Sequence, residues 1–308
     1  MAFVQTQRFL VGTVISQTFA AFFTRILPFS GFALIGFIPT IVFTAGYLYI
    51  VAQTPGFGEF SPSADPANPF NSDELAALPW IWITVAAIAL IVVSIATTAI
   101  WLAATSYGTF QHLRGQPVRF WQSLQRGVAV VLPCTGATCL FFLGALLIVA
   151  AIISPIFMFA MAGDLNDPNS WTPALFWLFP ALIIMSVLMV FLFVRLWVTV
   201  PAIAVERPGV FAAIGRSWSL SRGHAWRMFG ILLVMWAASL AASMVVGIVI
   251  IVLGVFGGVT GMLIGQGLNI LASLIVNALF AIAAAVAYVE LRRAKEGFGI
   301  EDIAAVFD

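Results

Sequence analysis

The sequence predicts an all-α, polytopic integral membrane protein: six transmembrane helices with three amphipathic cytoplasmic surface helices, in one membrane domain over residues 1–308. Three observations carry that expectation. Hydrophobic residues make up 62% of the chain and charged residues only 8%, against the roughly 25% charge that a soluble surface needs. Mean hydropathy is +1.10. Apolar runs long enough to cross a bilayer recur six times, and the segments between them alternate between basic and acidic.

In chain order, residues 9–24 place Val11, Val14, Ile15, Thr18, Phe19 and Phe22 at helical spacing with polar residues between them, the pattern of an interfacial helix. The start lacks the clean apolar core and small-residue site of a cleavable signal. A first span is expected at about 26–51, with Pro28 near its start and Pro39 as a kink. Residues 52–78 form a polar loop carrying Glu59, Asp65, Asp73 and Glu74, with a short helix over 72–78 capped by Ser72. The second span follows at about 79–105, with Trp80 and Trp82 at the interface.

Residues 106–131 supply His112, Arg114, Arg119 and Arg126, and Pro117 suits the first turn of a surface helix. Phe120, Trp121, Leu124 and Val128 share one face of that helix. The third span is expected at about 132–161, followed by a short loop with Asp164 and Asp167; Trp171 opens the fourth, at about 173–200. The chain then turns at Pro201, Pro208 starts the third surface helix, and Gly223 ends it in a left-handed cap. The fifth span covers about 228–255, GVFGGVTG makes a tight turn, and the sixth covers about 262–289 before a charged tail.

Charge sets the orientation. Twelve of the thirteen Lys and Arg residues fall before span one, between spans two and three, between four and five, or after six, and Arg195 lies just inside the membrane on that side. The opposite loops hold six acids and no cation. The positive-inside rule then places both termini in the cytoplasm. The order also reads as a threefold repeat of surface helix plus transmembrane hairpin.

Candidates for chemistry are few. Arg195 and Glu290 sit at similar depth near the basic ends of spans four and six, so an intramembrane ion pair is expected, as a clamp or as a gating element. Asn269, Ser273 and Asn277 recur every four residues on one face of span six; the stripe either lines a hydrophilic path or bonds neighbouring helices. Gly247, Gly254, Gly261 and Gly265 favour close helix contact nearby. Arg119, Arg126, Arg216, Arg222 and Arg227, on or beside the surface helices, suit anionic headgroups. His112 and His224 stand alone in basic surface loops, and Cys134 and Cys139 read as buried small hydrophobes.

No phosphate loop, zinc-protease or nucleophile-elbow motif occurs, and no Cys/His metal spacing. The expectation is a protein without catalysis, cofactor or metal, and without a nucleic-acid partner.

VTVPAIAVERPG after Arg195, then AIGRSWSLSRGHAWRMFG, then YVELRRAKEGFG after span six together resemble the membrane domain of some bacterial glycerophosphoryl diester phosphodiesterases and of their stand-alone relatives. That resemblance implies a bacterial inner-membrane location. In fused members a soluble barrel carries the hydrolase site, and no such barrel accompanies these residues, so the resemblance implies no hydrolase activity. The expected role is a non-catalytic scaffold or lipid-contacting accessory protein, in contact with membrane lipids and a protein partner, and the resemblance implies a link to glycerophospholipid metabolism. The alternative is a small transporter or channel using the polar stripe of span six.

Overall fold

A computed structural model describes residues 9–53, 80–161 and 172–297. The expected 72–78 helix, the acids of the 52–78 loop, Asp164, Asp167, Trp171, Arg8 and the chain beyond Gly297 lie outside these residues, as do the side chains of Trp80 and Trp82. Among the described residues every regular element is a helix: α1 (Val11–Thr24), α2 (Ile26–Gln53), α3 (Trp80–Leu113), α4 (Phe120–Ala129), α5 (Val131–Met161), α6 (Thr172–Leu196), α7 (Thr199–Glu206), α8 (Val210–Ser221) and α9 (Ala225–Glu296). Six stretches are long and apolar enough to cross a bilayer: one each in α2, α3 and α5, one through α6 and α7, and two in α9. The protein is therefore an all-α multi-pass membrane protein. α9 folds back at Gly258, whose φ of 55° and ψ of −140° no side-chain-bearing residue adopts readily, and its two arms make the last hairpin. A surface helix (α1, α4 or α8) precedes each of the three hairpins, the order expected from the sequence.

The core is organised on the second arm of α9. The apolar centre of that arm is half buried, whereas the first arm is buried only near its start, at Met228, Ile231, Leu232 and Met235. Residues 281–291 are buried without interruption, and Ala281, Ala283, Ala284, Ala285 and Ala287 let neighbouring backbones approach. α1, α2, α3, α6, α7 and α8 all pack on α9. Large apolar side chains elsewhere, such as Leu27, Ile183 and Phe256, face outward, as lipid contact requires.

The surface helices dock through small residues. α4 buries Ser123 and Gly127 and leaves Trp121 68% exposed. A Cβ on Gly127 would lie 2.5 Å from the Ile100 carbonyl oxygen, so only glycine permits this approach to α3. α8 buries Ala213, Ser217, Leu220 and Ser221 and leaves Phe211 79% exposed. Each helix thus turns one large aromatic side chain, Trp121 or Phe211, outward, the reverse of a surface helix on a soluble protein, while Phe120 stacks on Phe32 of α2.

Several boundaries differ from the sequence expectation. α3 continues to Leu113 rather than ending near residue 105. Nothing between Thr105 and Leu113 breaks a helix, and Thr105, Ser106, Thr109 and Gln111 are buried there; Thr109 Oγ1 donates back to the Thr105 carbonyl at 2.8 Å. Pro201 does not turn the chain. The break falls at Trp197–Val198, between α6 and α7, and Pro201 sits in the first turn of α7, where its missing N–H is harmless. Pro117 and Pro208 precede α4 and α8, whose N-caps are Arg119 and Gly209. Gly223, with φ of 86°, follows the α8 C-cap as expected. Cys134 and Cys139 are both free, Cys134 buried but Cys139 exposed, on the outward side of α5.

Candidate functional site

The break between α6 and α7 and the alanines of α9 leave a cavity of about 480 Å³ in the half of the bundle nearer the basic end. This lies within the ~300–1,000 Å³ range of small-molecule sites. α3, α5, α6 and both arms of α9 wall it, and Ile214 of α8 with the Thr199–Pro201 turn of α7 closes its basic end. Along α3 it reaches from Thr98 to Ser106, about 12 Å of helix.

Its walls are aromatic. Trp101, Trp197, Trp236, Phe141, Phe193 and Phe280 face it. Phe193 stacks on Trp236 with centroids 6.3 Å apart and meets Phe141 edge-on at 6.5 Å. Among the described residues, no ionisable side chain lines the cavity. Two of its hydroxyls are already committed: Ser106 donates to the Leu102 carbonyl at 2.7 Å and Thr138 to the Cys134 carbonyl at 2.9 Å. Thr199 Oγ1 is buried with no hydrogen-bond partner, which costs stability until a ligand supplies one. Asn277 Nδ2 donates to the Ser273 carbonyl at 2.8 Å. The chemistry on offer is a half-open apolar hollow with one or two hydrogen bonds; among the described residues its walls provide no acid, base or charged nucleophile.

Beyond α7, on the basic side, a charged network ties three elements together. Glu206 Oε1, at the end of α7, accepts hydrogen bonds from Arg216 Nε and Nη2 of α8 at 3.2 and 3.1 Å and from the Tyr288 hydroxyl of α9. Arg292 Nη1 lies 3.4 Å from the same oxygen. Glu296 bridges Arg216 and also accepts from Arg292 Nε at 2.8 Å. Burial pulls the Arg216 guanidinium down, but its hydrogen bonds to Glu206 and the charges of Glu206 and Glu296 outweigh that and hold it above its ordinary range. This network escaped the sequence reading. Its signal was the four-residue spacing of Tyr288, Arg292 and Glu296, which puts all three on one face of α9.

The structure separates Arg195 from Glu290. Glu290 pairs with Arg293 one turn on in its own helix, at 2.5 Å. Arg195 lies over the Phe191 and Trp218 rings, its carbon 5.2 Å from each centroid, and Nη1 donates to Ser221 Oγ at 3.4 Å. The expected ion pair is not formed: a local i,i+3 partner reaches Glu290 with less side-chain ordering than a cross-helix one. The polar stripe is also divided. Asn277 lines the cavity, Ser273 is half-buried outside it and Asn269 is exposed, so the three residues do not line one continuous path.

The five arginines expected on headgroups have different surroundings. Arg216 belongs to the charged network, and Arg227 Nη1 donates to the Phe9 carbonyl at 3.2 Å. Arg126 Nε donates to the Ala204 carbonyl at 3.3 Å, and burial and the nearby Arg207 charge, against the raising effect of Tyr107, keep it below the ordinary arginine value. Arg119 and Arg222 are exposed and in no ion pair among the described residues. The histidines are not in loops: His112 closes the last turn of α3, and His224 caps α9 with its ring edge-on to Phe9 at 5.7 Å. The cavity itself had no local sequence signal, since its wall gathers residues from α3 to α9.

No curated protein and no solved structure matches the chain. A family described as Domain of unknown function (DUF7847) matches residues 29–291, which takes in every cavity-lining residue and most of the charged network. With most of its length inside that match, from α2 to the last turns of α9, the chain belongs to the DUF7847 family.

Proposed function

We propose that the protein is a non-catalytic, lipid-contacting membrane protein that seats the apolar chain of a lipid or lipid-like molecule in its cavity. One observation carries the proposal: a cavity of about 480 Å³ with six aromatic side chains and, among the described residues, no ionisable group in its walls. Such a wall favours hydrocarbon, and Thr199 with Asn277 would receive one polar end. The three described carboxylates, Glu206, Glu290 and Glu296, are all bound to arginines, which supports a role without acid–base chemistry. In this reading the basic end faces the bacterial cytoplasm and the protein acts beside a membrane partner; a tie to glycerophospholipid metabolism rests on the sequence resemblance alone.

The test is lipidomics and native mass spectrometry of protein extracted in mild detergent, comparing wild type with a cavity-filling Ala137→Phe variant. Wild type is expected to retain an apolar-chain ligand that the filled variant loses. Equal retention by both sinks the proposal. Asn277 on the cavity wall favours a second reading, a small transporter. Solute flux in proteoliposomes that Asn277→Leu abolishes would replace the scaffold reading with that one.

A further inference from the structure

On the face of α6 turned away from the cavity, three cations meet with no carboxylate among the described residues beside them. Phe193, Leu196 and Trp197 point into the cavity, whereas Phe191 and Arg195 occupy the opposite side of the helix. Arg195 rests on Phe191 and Trp218, whose rings stand edge to face at 5.8 Å. Its Nε is buried with no hydrogen-bond partner. Lys295, from the end of α9, donates to the Ser219 carbonyl, and the Arg195 and Arg222 charges both act on it. Arg222 is the C-cap of α8, one residue beyond Ser221, which receives Arg195.

The C-terminus of α8 positions these groups but does not neutralise them. A helix end carries about half a negative charge, against three positive ones. The carboxylates of the described residues are all committed elsewhere: Glu206 to Arg216 and Arg292, Glu296 to the same two arginines, and Glu290 to Arg293. Phe191 and Trp218 are themselves 43% and 40% exposed on the lipid-facing side. The triad therefore has the composition of a phosphate site with an apolar shelf: cations at headgroup height and two aromatic rings directed toward the acyl region.

The structure assigns Arg195, Arg222 and Lys295, with Trp218 and Phe191, to a binding site for the phosphodiester headgroup of an anionic phospholipid in the leaflet at the basic end. The ligand is a lipid rather than a free phosphate ion because the aromatic shelf continues the site into the bilayer. The site shares no residue with the cavity, so a failed cavity experiment leaves it standing, and the reverse.

The experiment is native mass spectrometry of the full chain titrated with phosphatidylglycerol, phosphatidylcholine or glycerol phosphate. Wild type is expected to hold phosphatidylglycerol in preference to phosphatidylcholine. Arg222→Gln and Lys295→Gln should each weaken that binding about fivefold, and together about 25-fold. Both side chains are exposed, so these variants keep the test valid even if Arg195→Gln fails to insert. Arg25→Gln removes the same charge from the C-cap of α1 and should leave the affinity unchanged. Equal binding of phosphatidylcholine, or an equal loss with Arg25→Gln, overturns the site. Displacement of the lipid by glycerol phosphate at matched concentration shows an anion site without lipid selectivity and overturns it as well.

Discussion

Replacing Glu206 by Gln keeps the shape of the side chain and removes one charge from a network that sums to zero. Glu206 and Glu296 face Arg216 and Arg292, and the Tyr288 hydroxyl donates to Glu206. With Gln at 206, two guanidiniums share one carboxylate. A hydrogen bond to a charged group contributes about 1.5–3 kcal/mol. The Glu206 side chain is 21% exposed and that of Arg216 28%, so solvent screens part of this, and the expected loss is about 2 kcal/mol. Arg216→Gln should cost a similar amount by leaving two carboxylates on one arginine. The double variant restores neutrality and keeps the Arg292–Glu296 pair at 2.8 Å. It should therefore lose about 2–3 kcal/mol, well short of the sum, a coupling of about 1–2 kcal/mol. Reversible unfolding in mixed detergent micelles, followed by tryptophan fluorescence, measures all four corners of the cycle. Losses that add to within about 0.5 kcal/mol would show that the two residues act independently and that the network does not hold α7 to α8.

Three further outcomes follow from local geometry. Gly127→Val should lift α4 off α3, because its Cβ would lie 2.5 Å from the Ile100 carbonyl; a loss of about 1–3 kcal/mol is expected, while Gly144→Ala, with open space around its Cβ, should gain up to about 1 kcal/mol. Burial, with the Lys295 and Arg227 charges and against a backbone hydrogen bond to Arg222, holds His224 below its ordinary 6.5. Such a histidine binds fewer protons folded than unfolded, so its stability contribution is complete above about pH 6.5 and declines as the medium is acidified below that; an unfolding series against pH should flatten in His224→Gln. Arg207 holds a left-handed conformation with φ of 56°; Arg207→Gly should be neutral or stabilise by up to about 1 kcal/mol in the same assay, and a clear loss would mean its side chain has a structural partner.

The spans and the three surface helices were legible because hydrophobic length and charge asymmetry are local properties of the chain. The end of span two is hidden because polarity rises at Ser106 while the helix does not stop: buried hydroxyls find carbonyls one turn back and need no water. The break at Trp197–Val198 carries no proline or glycine of its own, so nothing local marks it. In the sequence Arg195 and Glu290 correspond in depth alone. Depth says how far along a helix a residue lies but not which way it points, and the i,i+3 neighbour Arg293 was the nearer answer. Tyr288, Arg292 and Glu296 were readable as one face of a helix, but Glu206, their partner, comes from a segment some eighty residues away.

The buried second arm of α9 bears on how the protein is made. Chains enter the membrane in order of synthesis, and this arm follows every other described span. α1, α2, α3, α6, α7 and α8 all pack on α9; until residues 281–291 emerge, its most continuously buried stretch is missing, and Glu206 and Arg216 await Arg292 and Glu296. Assembly is thus held open through five insertions and closed by the sixth. A ribosome stalled before Leu274 would leave five inserted helices without their keystone, a species for membrane quality control to recognise.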